Sequence, residues 1–367
     1  RLSFYIGFFS IPAKRICLFL GCDHLLKKHF MKTLVLGSPG KFRYETRPDP
    51  VRRNGEALLR IRRIGICGTD LHAFEGTQPY FDYPRVLGHE LAADILEVDP
   101  DTGFERDERV TFIPYFSCGE CIACRSGKPN CCVRIKVCGV HVDGGMGEFL
   151  SVPVTALLHA GGLGYEKLAL AEPLAIGAHG VRRAQIAAGE YVLVVGAGPI
   201  GLGTMVLARI AGARVIALDI NEQRLAFCRE KLGVDHIVNG RDGSVEERLS
   251  EITGGDMPTV VIDATGSQRA IMEGFRYMAH SGRYVLIGLQ KGPVSFSHPE
   301  FHKRESTLMS SRNATREDFE WVMQCLEKGE IDPKTFITHP VGFDQVKEQF
   351  PGWLDPANGV IKAMAAL

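Results

Sequence analysis

No stretch of this chain stays apolar over the ~18 consecutive residues that a transmembrane helix requires, so a membrane-spanning role is not expected. Charge of one sign is not in excess either. The 43 Lys and Arg are balanced by 43 Asp and Glu, which leaves no net field to attract nucleic acid or an anionic membrane. Internal repeats and low-complexity tracts are lacking, which excludes a solenoid or a linker. A disulfide framework is disfavoured by the placing of the 11 cysteines, which are clustered rather than spread. Clustering of that kind fits metal binding in a reducing, cytoplasmic compartment. What remains is a globular chain of 367 residues, long for one core and sufficient for two domains. Its 41 glycines exceed the usual share and mark many tight turns or close backbone approaches.

The first thirty residues differ in texture from the rest. They are apolar and basic, with Asp23 the only acid, and they precede Met31, which opens MKTLVLGSPGKF. No convincing small-residue cleavage site follows. Segment 1–30 is expected to be retained upstream sequence rather than a targeting extension, and to stay out of the fold.

From Met31 to about Leu150, short apolar runs alternate with Gly, Pro and charged turns, as in Glu56–Gly68, Glu90–Val98 and Glu108–Tyr115. This spacing suggests an irregular small β-barrel or sandwich carrying metal-bearing loops. Near His179 the texture changes. Strand-like runs at Tyr191–Gly198, Ala213–Ile220 and Thr259–Gly266 take turns with amphipathic helical stretches, the pattern of a parallel, doubly wound α/β sheet. A further helix is expected near Arg316–Lys328.

Gly196, Gly198 and Gly201 form G-x-G-x-x-G between such a strand and the helix opened by Pro199 and Ile200. The string alone is weak. Here Asp219 ends the next strand about twenty residues on, which completes a dinucleotide fingerprint. The glycines permit close approach of a pyrophosphate to a helix N-terminus. Asp219 suits the adenosine ribose hydroxyls and repels a 2′-phosphate, which favours NAD over NADP, although Arg224 a few residues later softens that preference.

Two groups of metal-binding residues lie upstream. Cys118, Cys121, Cys124 and Cys132 stand as C-x2-C-x2-C-x7-C, with Cys131 competing for the fourth place. Four close thiolates suit a closed structural zinc site, and an iron–sulfur cluster is the alternative that counting leaves open. Cys67, His89, Glu90 and Glu172 lie in separate strings, and Thr69 and His72 follow Cys67 by two and five residues. A thiolate, an imidazole and a carboxylate suit a catalytic zinc that keeps one position open. Taken singly, such a Cys is usually core and such a Glu a solvated turn; together with the dinucleotide motif and the cysteine lobe they point to an enzyme.

The strings GICGTDLH, VLGHE, EPLAIGAH and VVGAGPIGLG, with the four-cysteine lobe and ALD, are where the chain from Met31 onward resembles the zinc-containing medium-chain dehydrogenase family. The likeness is to its polyol and sugar-acid branch. The resemblance implies a GroES-like catalytic domain formed by 31–178 and 312–367, with a Rossmann NAD-binding domain over 179–311. It implies two zinc ions per chain. One would be held by Cys118, Cys121, Cys124 and, in preference to Cys131, Cys132. The other would lie among Cys67, His89 and Glu172, with Glu90 either a ligand or exchanging with Glu172. It implies a proton relay from Thr69 through the nicotinamide ribose to His72. It places Arg312 and Asn313 where substrate is contacted.

The strings GTQPYFDYPRVLGHE, GVHVDGGMGEFLSVP and EFHKRESTLMSSRNAT narrow the likeness to sugar-acid dehydrogenases. The expected reaction is hydride transfer to NAD from a secondary hydroxyl of an L-galactonate or L-gulonate type of acid, a small polar hydroxylated substrate. The alternatives are a neutral polyol of the sorbitol type, an L-threonine type of amino alcohol, and a non-catalytic zinc and dinucleotide-binding protein, against which the full ligand set argues. Family analogy implies a homodimer or homotetramer, with the strand at Arg283–Leu289 as the pairing edge.

Overall fold

The computed structural model describes residues 30–79 and 81–367. The N-terminal segment set apart above lies, but for Phe30, outside the described residues, as does Tyr80. Two large sheets organise the rest. The first runs in the order Leu157–His159, Arg109–Phe112, Glu90–Glu97, Glu56–Gly65, Lys362–Ala366 and Ile337–Gly342, with Phe149–Pro153 also paired to Glu56–Gly65. Its pairs are antiparallel except the last, between Ile337–Gly342 and Lys362–Ala366. Ala57, Leu59 and Ile61 alternate into its core while Arg60 faces solvent, the period of two that a one-sided sheet requires.

The second sheet is wholly parallel and six-stranded: His236–Asn239, Arg214–Asp219, Tyr191–Val195, Val260–Asp263, Arg283–Leu286, Thr307–Ser310. In chain order this is 3-2-1-4-5-6, the doubly wound dinucleotide-binding arrangement, whose crevice opens beside the first strand. Val192 to Val195 are buried without alternation because helices cover both faces.

Arg283–Leu286 lies between two partners and is therefore interior. This corrects the expectation that it forms the sheet edge. The edge is Thr307–Ser310, whose short and largely exposed sequence carries no apolar run to announce a strand.

The helix Ala171–Ala184 joins the two halves. A Cβ on its Gly177 would meet the Thr204 nitrogen at 2.9 Å, so glycine lets it cross the helix Pro199–Ile210 closely. The helix Arg316–Glu327 packs on the same element. The chain then returns to the first sheet, where Met364 pairs with Gly65. Among the described residues no helix is long and apolar enough to cross a membrane.

Candidate active site

Strand register assembles the first cluster. Gly65 pairs with Glu90 in the antiparallel ladder, so Cys67, two residues past one strand, and His89, one residue before the other, emerge at the same end. The ligand atoms of Cys67, His89 and Glu90 lie within 4.8 Å of one another. Cys67 precedes the helix Gly68–Glu75, and its N–H donates to Asp70 Oδ2 at 2.9 Å. The other Asp70 oxygen and His89 Nδ1 are buried without hydrogen-bond partners, 3.9 Å apart. Burial raises the Asp70 carboxyl. Burial pulls the His89 imidazole down, yet the negative charge of Cys67, Asp70 and Glu172 outweighs it and lifts the group well above its ordinary value.

A buried convergence of thiolate and carboxylates is a site that asks for a cation. An imidazole turned by Nδ1 towards a carboxylate keeps its other nitrogen as a donor. This donor set fits a zinc ion.

Two further side chains hold the carboxylates, and sequence reasoning missed both. Lys362 Nζ donates to both oxygens of Glu90, at 2.6 and 2.8 Å, and to the Ile66 carbonyl at 3.1 Å. A Cβ on Gly65 would collide with the Glu90 carboxylate, so glycine makes room for it. The Tyr115 hydroxyl donates to Glu172, which is buried in the first turn of Ala171–Ala184. Glu172 lies outside the three-residue group. Burial pushes its carboxyl up to about 7, with Glu90 adding to the rise and His89, Tyr115 and Lys362 opposing it. The available signal was Lys362 itself, the sole charge in the last ten residues, in a strand that reads as apolar.

Thr69 is half-buried in the first turn of Gly68–Glu75 and His72 is exposed one turn on, so the two share a face. His72 Nδ1 lies 3.4 Å from both Glu75 Oε2 and Thr77 Oγ1.

The second cluster is local. Cys118, Cys121, Cys124 and Cys132 have their sulfurs within 4.8 Å of one another, with individual separations of 3.4, 3.4 and 4.0 Å. A tetrahedron built on Zn–S bonds of about 2.3 Å has edges of about 3.8 Å. The N–H groups of Cys118 and Arg134 each donate to Cys132 Sγ at 3.3 Å, as suits a thiolate. The lobe fits zinc, and Cys131 is exposed and outside the group.

At the dinucleotide motif, Gly196 has φ +100° and a Cβ on Gly201 would collide with the Gly196 carbonyl oxygen. Only glycine permits this turn. Gly198 precedes the helix, Pro199 is its first residue and Ile200 the second, with no side chain capping the free N–H groups. Those groups are left for an anion. Asp219 Oδ2 accepts from the Ala197 N–H at 2.6 Å and Oδ1 from Asn221 at 2.8 Å, which ties the glycine turn to the next strand. Arg224 lines a hollow of about 210 Å³ with Ala197, Asn221, Pro356, Gly359 and Ile361.

Arg312 and Asn313 follow the last strand of the parallel sheet. Asn313 Nδ2 donates to the Asn130 carbonyl at 3.0 Å, and Asn130 Nδ2 donates to the Arg312 carbonyl at 2.9 Å. The Asn313 amide is thus committed to the cysteine lobe. The Arg312 side chain is exposed near His141, whose pKa is lowered by burial and then by Arg312 and Arg85.

Comparison with known proteins agrees with this architecture. Residues 53–161 match the alcohol dehydrogenase GroES-like domain, and 199–328 match the zinc-binding dehydrogenase family. The chain belongs to the zinc-containing medium-chain alcohol dehydrogenases, in their polyol and sugar-acid branch, and is an enzyme that works with zinc and NAD. It is 44% identical over 324 residues to the L-galactonate-5-dehydrogenase of Escherichia coli K12, covering 87% of this chain and 94% of that one. It is 34% identical to an uncharacterized zinc-type alcohol dehydrogenase-like protein of Haemophilus influenzae, over 87% and 94%. An alcohol dehydrogenase of Escherichia coli CFT073, crystallised with NADH, superposes with a TM-score of 0.86 at 30% identity, over 92% of this chain and 99% of the other.

Proposed function

We propose that this enzyme oxidises a secondary hydroxyl of a sugar acid of the L-galactonate or L-gulonate type, passing hydride to NAD. The observation that carries the reading is the 44% identity to an L-galactonate-5-dehydrogenase across nearly its whole length. Arg312 supports it: an exposed guanidinium beside His141 offers a substrate carboxylate two parallel N–H donors.

Cys67, His89 and Glu90 hold the catalytic zinc, with Glu172 close by under the Tyr115 hydroxyl. Cys118, Cys121, Cys124 and Cys132 hold a second zinc that stabilises their lobe. The catalytic domain comprises 31–178 and 312–367, and the NAD domain 179–311. Zinc, when bound, supplies a Lewis acid that lowers the pKa of the substrate hydroxyl, and NAD supplies the hydride acceptor. The Thr69 hydroxyl receives the proton that the substrate loses, and His72, on the same helix face and open to water, delivers it to solvent. Asp219 favours NAD by its charge, while Gly196, Gly198, Pro199, Ile200 and Gly201 shape the pyrophosphate seat and Arg224 flanks it. The enzyme works in the cytoplasm, where its free cysteines stay reduced, as a homodimer or homotetramer.

The test is NADH absorbance on L-galactonate, L-gulonate, sorbitol, L-threonine and a simple secondary alcohol, with and without a zinc chelator. Chelator-sensitive turnover on an aldonate, weakened in KM by Arg312→Ala, is expected. Turnover on sorbitol or L-threonine alone would replace the sugar acid by that substrate class.

A further inference from the structure

Arg85 stands four residues before His89 of the metal cluster, at most ~14 Å along the chain. The turn that follows the cysteine lobe is bonded onto the same stretch. Gly144 donates its N–H to the Val86 carbonyl at 2.8 Å, Gly145 to the Gly88 carbonyl at 2.9 Å and Met146 to the Leu87 carbonyl at 2.9 Å. His141 and Asp143 on that turn are therefore fixed, together with Arg85, to the backbone that carries His89.

Asp143 is shared among more donors than it can serve well. Its Oδ1 accepts from the Val86 N–H at 3.0 Å and lies 3.4 Å from Arg85 Nη1, and its Oδ2 lies 3.3 Å from Arg47 Nη1. Arg47 has a closer partner in Glu45, at 2.8 Å, which Arg43 also grips. Arg85 has no such partner. Its side chain is 18% exposed, and its buried Nε has no hydrogen-bond partner among the described residues. A guanidinium so far withdrawn from water, with one long contact and one idle donor, lacks an acceptor. Arg312 approaches from the other side of His141, whose imidazole is lowered by burial, then by Arg312 and Arg85, with Asp82 opposing. His141 Nδ1 accepts from the Val137 N–H at 3.0 Å, so the neutral ring presents Nε2–H as a donor. Among the described charged groups of this patch, Arg43, Arg47, Arg85 and Arg312 outnumber Glu45, Asp82 and Asp143 by one. One positive charge in excess suits a carboxylate better than the near-double charge of a phosphate ester.

We propose that Arg85 is a specificity-determining residue which, with Arg312 and the His141 ring beside both, receives the carboxylate of a substrate whose reacting hydroxyl lies at the Cys67–His89 cluster. This rests on the sugar-acid reading above. The chain between Arg85 and His89 leaves room for both the arginine side chain and the carbon chain of a sugar acid. A neutral polyol in the same place leaves Arg85 without an acceptor, and a site with a buried donor left idle rejects the analogue that lacks the partner.

The test compares L-galactonate with its amide, L-galactonamide, which keeps every hydroxyl and the shape but loses the charge. Arg85→Gln is expected to cut the kcat/KM preference for the acid over the amide about thirtyfold, with the loss in KM rather than kcat. Arg85→Lys should recover part of it, because the charge returns without the planar fork. KM for the acid should climb with ionic strength in wild type and climb less in Arg85→Gln. Asp143→Asn keeps an acceptor for the Val86 N–H and removes the charge that competes for Arg85, so it should lower KM for the acid. A contact between Arg85 and Asp143 that served structure alone would make the two variants alike, raising KM for acid and amide together, and that result would overturn the proposal. An unchanged preference in Arg85→Gln would do the same. Should Arg85→Gln not fold, Arg85→Lys and Asp143→Asn carry the comparison: KM for the acid should shift in opposite directions, and shifts of one sign overturn the proposal. A wild type that turns over the amide or sorbitol as well as L-galactonate would overturn the sugar-acid reading beneath it, and the proposal with it. A wild type that prefers the acid while Arg85→Gln keeps that preference removes Arg85 alone.

Discussion

His179 Nδ1 lies 2.8 Å from Asp318 Oδ2, inside the junction between the cysteine lobe, the helix that carries Glu172 and the helix Arg316–Glu327. The tautomer follows from the partners. Nε2 is 3.2 Å from Asn130 Nδ2, and that amide is oriented by its bond to the Arg312 carbonyl, so Nε2 accepts and Nδ1 donates to the carboxylate. Burial alone would raise the Asp318 carboxyl. Hydrogen bonds from His179, from the Thr315 N–H and hydroxyl, and from Arg182 outweigh burial and hold it down at about 2.

A group depressed in the folded state stabilises fully above its unfolded pKa near ~4 and ceases to do so as pH falls through about 2. Asp318→Asn is therefore expected to be less stable than wild type by about 2 kcal/mol in urea unfolding, with a gap that is flat from pH 8 to pH 5. The gap should begin to close only below about pH 4. A gap that closes near pH 6 would assign the stabilisation to a histidine instead.

The four-cysteine lobe predicts a metal count. The sulfur separations of 3.4 to 4.0 Å leave one tetrahedral hole, and the lobe is tied to the rest of the chain through Asn130. Cys121→Ser should lower zinc from two to one per chain by elemental analysis and lower Tm on the order of 10 °C, while the remaining zinc stays removable by chelation from the Cys67 site. Two zinc ions retained in the variant would refute the assignment.

What the sequence makes legible is what local spacing encodes. The glycine turn, the four cysteines and the run from Cys67 to His72 each need particular residues at short intervals, because backbone clearance and tetrahedral coordination are local constraints. The strand–helix alternation is legible for the same reason: burial on both faces writes an unbroken apolar run such as Val192 to Val195. Lys362 and Tyr115 were not legible. They meet Glu90 and Glu172 across 272 and 57 residues, and only sheet register and helix placement bring them together. Nor was the direction of Asn313. It sits at φ +53°, a left-handed conformation that turns its amide to the cysteine lobe, which no spacing rule specifies. Thr307–Ser310 escaped because a mostly exposed edge strand lacks the pattern that a buried one must have.

Asp219 ties down the glycine turn and, in the proposed assignment, also meets the adenosine ribose; a substitution separates the two. Each carboxylate oxygen accepts one backbone N–H, from Ala197 and from Asn221, and each keeps acceptor capacity for a ribose hydroxyl. Asp219→Ala removes the charge that repels a 2′-phosphate and also one tie to the glycine turn. The NAD over NADP preference in kcat/KM should fall by at least about tenfold, and KM for NAD should rise. Asp219→Asn, which keeps an acceptor for one N–H, should lose the preference with less loss of NAD affinity. A preference unchanged in both variants would remove Asp219 from the ribose site.

Thr69 is half-buried one turn before exposed His72, and the long 3.4 Å contacts of His72 Nδ1 with Glu75 and Thr77 leave the ring free to exchange with water. Thr69→Val preserves shape but removes the hydroxyl, so kcat should fall on the order of 10²-fold with zinc content and NAD binding unchanged. His72→Ala cuts only the outer step. Its kcat should fall less, most steeply on the acid side, where proton release to water is slowest, and added imidazole should restore part of the loss. The two effects should not multiply in the double variant, since a proton stopped at Thr69 never reaches His72. Fully multiplicative losses, or a His72→Ala enzyme with wild-type kcat and no response to imidazole, would place the proton's exit elsewhere in the cleft.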